Sequence, residues 1–426
     1  MSPSGKYGRV FDVLLSRAWP WLWLGLCLRA GFALFLGGRF YQADELGYDG
    51  IARTIAQSGL FAPAGAERVF MPVAPSFISV FYGLGLGVPG ARLGLALLST
   101  FTAWMIGRAT EDLTGSERAG RLALALACVY PFFIYYSGLL MTETPYLALS
   151  VAGLWLLCRS LGEAGRSPGL AAGAGLVLGL AGLTRTEGAA VAGLALCGAA
   201  GLAALRRYAW RSLALACLAW AAPLAGWAVH NRSLVGVLTL DLHGGVTTLT
   251  GTKYFELDQI DTAVAMRALE ASPSFAEAAG LGPVERDAFF FREACRFMAE
   301  NPGRTLKQWG LKLLNFWRLY PRQDKVYPAT EVTRPGLGVK QGLLALVSLA
   351  FEPALIGLGL WGGWLLRRDM GRLFPVALLG IVTCGIHVLV VSQMRYRLPL
   401  MPWFILFAAF SVDRWLAARE ESCWTS

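Results

Sequence analysis

The chain has 426 residues; 55% are hydrophobic, another 50 are glycine, and only 15% are charged. Soluble domains sit near ~45–50% apolar with glycine counted and ~25% charged, so the composition excludes a soluble enzyme, a disordered chain, a collagen-like chain and a disulfide-stapled miniprotein. A net charge of +10 points to nucleic acid or to membrane topology, depending on where the charges lie.

Stretches of about 20 apolar residues, the length that spans a bilayer, are expected at 18–37, 91–110, 119–137, 145–161, 168–184, 187–205, 210–229, 341–366, 373–391 and 398–416. The fold class is therefore an all-α polytopic membrane protein with about ten transmembrane helices. The first apolar run lacks a small-residue cleavage site and reads as a retained span. With the N-terminus inside, sixteen basic residues fall on the cytoplasmic side: Lys6, Arg9, Arg17, Arg108, Arg118, Arg121, Arg159, Arg166, Arg206, Arg207, Arg211, Arg367, Arg368, Arg372, Arg414 and Arg419. The opposite short connections hold only Arg185, Arg395 and Arg397. This is the positive-inside pattern. It places both termini in the cytoplasm, accounts for most of the positive balance, and leaves no call for a nucleic-acid partner.

Three parts follow along the chain: 1–229, a transmembrane module with an outer loop at 38–90; 230–338, an extracytoplasmic loop with amphipathic helices; and 339–426, the C-terminal transmembrane helices. In the first outer loop, Leu46, Ile51 and Ile55 predict a short amphipathic helix over 45–57, stopped by Gly59. A proline-broken stretch at 71–75 precedes an apolar helix over 76–86, too short to span and suited to the headgroup layer. The second long segment opens with a Gly/Thr-rich run at 243–251 and carries helical patterns over 284–299 and 303–319. In the latter, Leu306, Trp309, Leu313, Phe316 and Trp317 alternate with Arg304, Lys307, Lys312 and Arg318, the pattern of a basic amphipathic helix on anionic lipid. Of eight cysteines, six lie in apolar runs, and no Cys/His spacing suits zinc.

Acids at the outer mouth of such a bundle carry the most information, because ionisable groups near hydrocarbon are costly. Asp44 and Glu45 follow the first span and Glu143 precedes the fourth. Converging there, Asp44 and Glu143 could hold a divalent cation such as Mg or Mn, or one could act as general base toward an acceptor hydroxyl. Equally, Asp44 suits a helix N-cap and Glu143 a first-turn acid. Asp49 and Arg53, spaced i,i+4, read as a local pair. Arg185, Arg395 and Arg397 offer guanidinium forks for phosphate oxygens, or snorkel to lipid headgroups. Arg29 and Arg92 read as interhelical ties, His230 and His387 as structural, and His243 is open to either reading.

The motifs Ala43-Asp44-Glu45-Leu46-Gly47-Tyr48, Thr142-Glu143, Leu183-Thr184-Arg185-Thr186-Glu187-Gly188, His230-Asn231-Arg232-Ser233 and Arg395-Tyr396-Arg397-Leu398-Pro399-Leu400-Met401-Pro402 together resemble the GT-C glycosyltransferases. They are closest to the group of protein O-mannosyltransferases and the lipid A aminoarabinose transferase. The resemblance implies a GT-C-type bundle that moves a sugar from a polyprenyl-phosphate carrier, such as undecaprenyl phosphate, to a glycan, lipid or protein acceptor on the outer side of a bacterial inner membrane. It implies Asp44 as general base and Glu143 as the second acid, which in some members assists metal or acceptor binding. It implies Arg185, Arg395 and Arg397 as holders of the donor phosphate. Glu45, Tyr48, Arg68, His243 and Tyr396 are candidate substrate-binding residues. The aminoarabinose transferase's Lys-Pro-Pro motif is replaced by Phe70-Met71-Pro72-Val73-Ala74-Pro75, with Arg68 nearby, and no large soluble C-terminal domain is expected. The alternatives are a polymerase or ligase of lipid-linked glycans and a lipid-linked sugar transporter or flippase. The transporter would show internal repeats and charges along a path.

Overall fold

The computed structural model describes residues 17–59, 71–255, 262–319 and 337–424. Among these, every regular element is helical. The first long helix, α1 (Ala18–Leu36), ends where Gly37 turns with a positive φ of 58°. Helix α2 (Ala43–Ser58) starts on the Glu45 carboxylate, which accepts from the backbone N–H groups of Tyr41 and Gln42 at 2.7 and 2.9 Å. It stops at Gly59, as expected. Helix α3 (Val73–Gly83) begins earlier than its pattern suggested: Pro72 and Pro75 form its first turn, where a missing N–H costs nothing.

Then come α4 (Gly87–Thr114), α5 (Glu117–Val129) and α6 (Pro131–Ser137). The span expected over 119–137 is broken at Pro131, where α5 and α6 meet at 53°. The break leaves the last carbonyls of α5 without helical partners, and Arg29 of α1 takes them. Its Nη1 donates to Cys128 O at 2.7 Å, its Nη2 to Ala127 O at 2.9 Å and its Nε to Ser99 Oγ at 2.9 Å. Arg29 is thus the interhelical tie expected of it.

Helices α7 (Glu143–Gly162), α8 (Pro168–Gly182), α9 (Thr186–Ala204) and α10 (Trp210–Val235) follow on short turns. A Cβ on Gly175 would stand 2.1 Å from Ala216 O and one on Gly179 2.6 Å from Trp220 O, so this glycine pair is what lets α8 and α10 touch backbone to backbone. The last membrane helices are α16 (Leu337–Leu365), α17 (Met370–Leu389) and α18 (Met401–Trp424), with a 3₁₀ turn at Met394–Leu400 leading into α18.

Nine of the ten stretches expected to span fall largely on single helices, and the tenth, 119–137, on the broken α5–α6 pair. Seven described helices are both long and apolar enough to cross a bilayer, or eight with the bent α5–α6 pair; α8 is apolar but short. The chain is a multi-pass membrane protein. Helix α7 carries Glu143 at its start and Arg159 at its end, and α18 has Arg395 just before it and Asp413 within its second half, so charged residues collect at two ends of the bundle. One end is tied by Arg118 to Asp413 at 2.5 Å and by Arg159 to Asp112 at 3.4 Å. The other holds the site described below.

Between α10 and α16 lie α11 (Gly244–Thr252), α12 (Thr262–Glu270), α13 (Pro273–Ala278), α14 (Pro283–Glu300) and α15 (Pro302–Phe316). The Gly/Thr-rich run is α11: Thr248, Thr250 and Thr252 bond back to carbonyls four residues earlier, at 2.7–2.8 Å. The expected helix over 303–319 is present as α15, and part of its polar side is turned into the protein. Leu306 and Leu314 are exposed, while Gln308, Lys312 and Asn315 are buried. The reason is that α15 covers carbonyls that helix ends leave unpaired. Gln308 donates to Thr252 O and Phe255 O, Lys312 Nζ to Val390 O at 2.8 Å, and Asn315 to Ser392 O at 2.7 Å. Lys312 is therefore no headgroup ligand.

Burial lowers the Lys312 pKa from 10.5 to about 8. Between those values the unfolded chain binds more protons than the native one, so stability should rise with pH across that window. The melting temperature of the protein, followed relative to that of Lys312→Met, should climb between about pH 8 and 10.5; a flat difference would show that the ammonium titrates normally.

Candidate active site

Three carboxylates sit in the first turns of three helices, Asp44 in α2, Glu143 in α7 and Glu187 in α9, where the helix dipole favours negative charge. His387 occupies the last turn of α17, where the dipole favours a cation. Arg185 is the N-cap of α9, and Arg395 lies in the 3₁₀ turn before α18. Packing brings all six to one end of the bundle.

They form a line of alternating sign. Arg395 Nη1 donates to Asp44 Oδ2 at 3.1 Å and stands 3.9 Å from Glu143 Oε1. Arg185 Nη1 approaches the same Glu143 oxygen at 3.6 Å and Thr142 Oγ1 at 3.3 Å. Arg185 Nε donates to Glu187 Oε1 at 2.9 Å, and Glu187 Oε2 meets His387 Nε2 at 2.6 Å. The Tyr396 ring stacks on His387 at 4.0 Å, with Arg185 and Arg395 5.3 and 5.2 Å from its centroid.

Exposure divides the acids. The Asp44 side chain is 52% exposed, against 4% for Glu143 and 5% for Glu187. Only Asp44 reaches the open end. Glu143 is held by charge alone: among the described residues its Oε2 has no hydrogen-bond partner, and neither has Arg395 Nε. Burial lowers the Arg185 pKa, and the carboxylates of Glu187 and Glu143 more than restore it, so its net direction is up. Burial, and then the carboxylates of Asp44 and Glu143, push the Tyr48 phenol above its usual range, against the pull of Arg185 and Arg395. Tyr48 thus faces the same cluster.

Asp44 and Glu143 converge on one arginine nitrogen, so their oxygens are no farther apart than its two distances allow. Oxygen donors are the ligand type a hard divalent cation takes, but the Arg395 guanidinium stands between these two carboxylates. Among the described residues no group of three or more His, Cys, Asp or Glu could hold a metal ion.

The expected residues Asp44, Glu143, Arg185, Arg395, Tyr48 and Tyr396 are thus together. Three others are not, and a further candidate cannot be placed. Glu45 is fully buried beneath α2, where it caps the helix, pairs with Arg92 at 3.0 Å and accepts from Leu140 N at 3.0 Å, so it is structural. His243 pairs with Asp241 at 2.7 Å in the loop module. Arg68 lies outside the described residues. Arg397 is buried, and its guanidinium is occupied by Glu352 at 2.6 Å and by the carbonyls of Phe316 and Arg318 at 3.0 and 2.9 Å. The Tyr130 hydroxyl bonds the other Glu352 oxygen. Arg397 edges a cavity of about 50 Å³ that it shares with Arg395, Tyr130, Tyr136 and Glu352. Asp49 and Arg53 pair as expected at 2.8 Å, and Tyr82 adds a hydrogen bond to Asp49.

Removing one partner of a buried ion pair leaves the other charge uncompensated, at about 3–5 kcal/mol. Arg397→Ala should therefore lower the melting temperature sharply, and Arg397→Met combined with Glu352→Leu should recover much of it. An unaltered melt in Arg397→Ala would mean that the pair is solvated.

Sequence reasoning passed over Glu187 and Glu352 and left His387 as a structural residue. Glu187 stands in the quoted Leu183–Gly188 motif, two positions from Arg185, and that proximity was the available signal.

The bundle is similar to the archaeal oligosaccharyltransferase AglB from Archaeoglobus fulgidus in complex with an inhibitory peptide and a dolichol-phosphate, with a TM-score of 0.51 and 15% identity over 92% of this chain and 50% of that chain. The apo oligosaccharyltransferase from Archaeoglobus fulgidus aligns with a TM-score of 0.49 and 12% identity over 93% of this chain and 50% of that one. ArnT from Cupriavidus metallidurans, bound to undecaprenyl phosphate, aligns with a TM-score of 0.42 and 14% identity over 99% and 79%. This chain spans about half the length of the oligosaccharyltransferase chains it matches. The first alignment shows the fold: this chain has the GT-C-type membrane architecture expected from its motifs. No protein-family model and no curated protein matches the sequence.

Proposed function

We propose that the protein is an integral-membrane glycosyltransferase that moves a sugar from a polyprenyl-phosphate carrier to an acceptor hydroxyl, with inversion at the anomeric carbon. One observation carries the reading: a half-exposed carboxylate, Asp44, ion-paired to Arg395, which shares Glu143 with Arg185, at one end of a membrane bundle of GT-C-type fold. The carrier's tail stays in lipid, so its phosphate arrives at this depth and nowhere deeper. Two arginine forks match phosphate oxygens. In the displacement, the acceptor oxygen bonds to the anomeric carbon on the face opposite the phosphate, the carbon–phosphate-oxygen bond breaks, and the acceptor proton passes to Asp44. The polyprenyl phosphate that leaves gains charge where Arg185 and Arg395 can stabilise it. In the resting protein Arg395 donates to Asp44; a phosphate that takes up Arg395 frees the carboxylate for its proton.

Asp44 and Glu143 would also hold a divalent cation such as Mg or Mn, which when bound supplies Lewis-acid stabilisation of the departing phosphate. The acceptor is a glycan, lipid or protein. The site faces the extracytoplasmic side of a bacterial inner membrane, with both termini cytoplasmic, as the basic residues of the inner connections suggest. The test is incubation of the purified protein, with envelope fractions as acceptor, with labelled polyprenyl-phosphate sugars, in the presence and absence of a chelator. Label should move from the lipid to an acceptor. Retention of all label on every such carrier would overturn the reading.

A further inference from the structure

Arg185 lies between two carboxylates that hold it unequally. Its Nε edge donates to Glu187 at 2.9 Å, whereas its Nη1 stands 3.6 Å from Glu143. Among the described residues its Nη2 makes no hydrogen bond. Glu187 is held in turn. Its second oxygen meets His387 Nε2 at 2.6 Å, and His387 Nδ1 meets the Val391 carbonyl at 3.1 Å. A carbonyl and a carboxylate only accept, so both contacts are hydrogen bonds when the ring carries two protons. The ring is fixed by its stack on Tyr396 and lies near-parallel to Phe316, 6.3 Å away.

We propose that Glu187 and His387 are positioning residues that aim Arg185 at the donor phosphate. This rests on the glycosyltransferase reading above. Engaging the Nε edge sets the plane of the guanidinium and leaves its Nη edge toward Glu143 and Thr142. The ordering of a long side chain is then complete before the substrate arrives. His387 in turn holds the second Glu187 oxygen, so the carboxylate cannot turn away from the Nε edge of Arg185. Neither Glu187 nor His387 needs to touch substrate.

The test measures donor KM and kcat, and the affinity for undecaprenyl phosphate in lipid nanodiscs, on the full-length purified chain. Glu187→Gln keeps the shape and removes the charge. It should raise donor KM and weaken undecaprenyl phosphate binding about tenfold, the worth of one charge-assisted contact, with kcat at saturation within about threefold of the unaltered protein. His387→Leu should do the same, and His387→Gln, whose amide can still bond Glu187, should be milder. Unchanged KM and binding overturn the proposal. So does a fall in kcat alone, and so does loss of folded protein in Glu187→Gln and His387→Gln alike, which would make the pair a structural clamp. If the unaltered protein transfers no sugar but Glu187→Gln still weakens undecaprenyl phosphate binding, the positioning role stands and the glycosyltransferase reading falls.

Discussion

Asp44→Asn should cut sugar transfer about 10²–10⁴-fold, the usual worth of a general base, while leaving folding and donor affinity near those of the unaltered protein. The asymmetry follows from where Asp44 sits. Its side chain is half in solvent, and its largely buried partner Arg395 keeps a second carboxylate, Glu143. The asparagine carbonyl can still accept from Arg395, and Glu143 still balances that arginine from 3.9 Å. What the amide cannot do is take a proton. Turnover should therefore collapse while the melting temperature and undecaprenyl phosphate binding hold. Full turnover in this variant would remove Asp44 from the chemistry. Glu143→Gln makes the contrast: with Glu143 buried and flanked by both arginines, it should disturb donor binding and stability together.

The parts of this site that could be read from sequence are those whose signal is local. Asp44, Glu143, Arg185 and Arg395 stand out because each is a charge at the edge of an apolar run, where hydrocarbon makes an idle charge costly. The spans themselves follow from composition and the distribution of basic residues. What could not be read depends on partners far away in the chain. Glu187 and His387 are 200 positions apart, and nothing local links them. Gln308 and Lys312 of α15 point inward because carbonyls at the ends of α11 and α17 need donors, and those ends lie more than 50 residues away. Arg395 and Arg397 illustrate a finer limit. Two residues apart in a turn with three residues per revolution, they leave the backbone in very different directions. One reaches Asp44 and the other reaches Glu352, and the sequence motif that contains both does not distinguish them.

Arg395→Ala should weaken donor binding about 10- to 100-fold, as loss of one or two charge-assisted bonds to a phosphate implies. The difficulty is that Arg395 also serves the fold. It stands beside Glu143, which is buried and has no hydrogen bond to its Oε2 among the described residues. Removing the arginine leaves Arg185 as the remaining guanidinium within 4 Å of that carboxylate, so some lost binding would reflect a loosened site. The double variant Arg395→Ala with Glu143→Gln separates the two effects. It removes the uncompensated charge together with the arginine, so the melting temperature should return toward that of the unaltered protein. Undecaprenyl phosphate binding should stay weak, because the phosphate has still lost its fork. Recovery of both would reduce Arg395 to a counterion for Glu143. Recovery of stability, with binding weaker than in Glu143→Gln alone, assigns it to the phosphate.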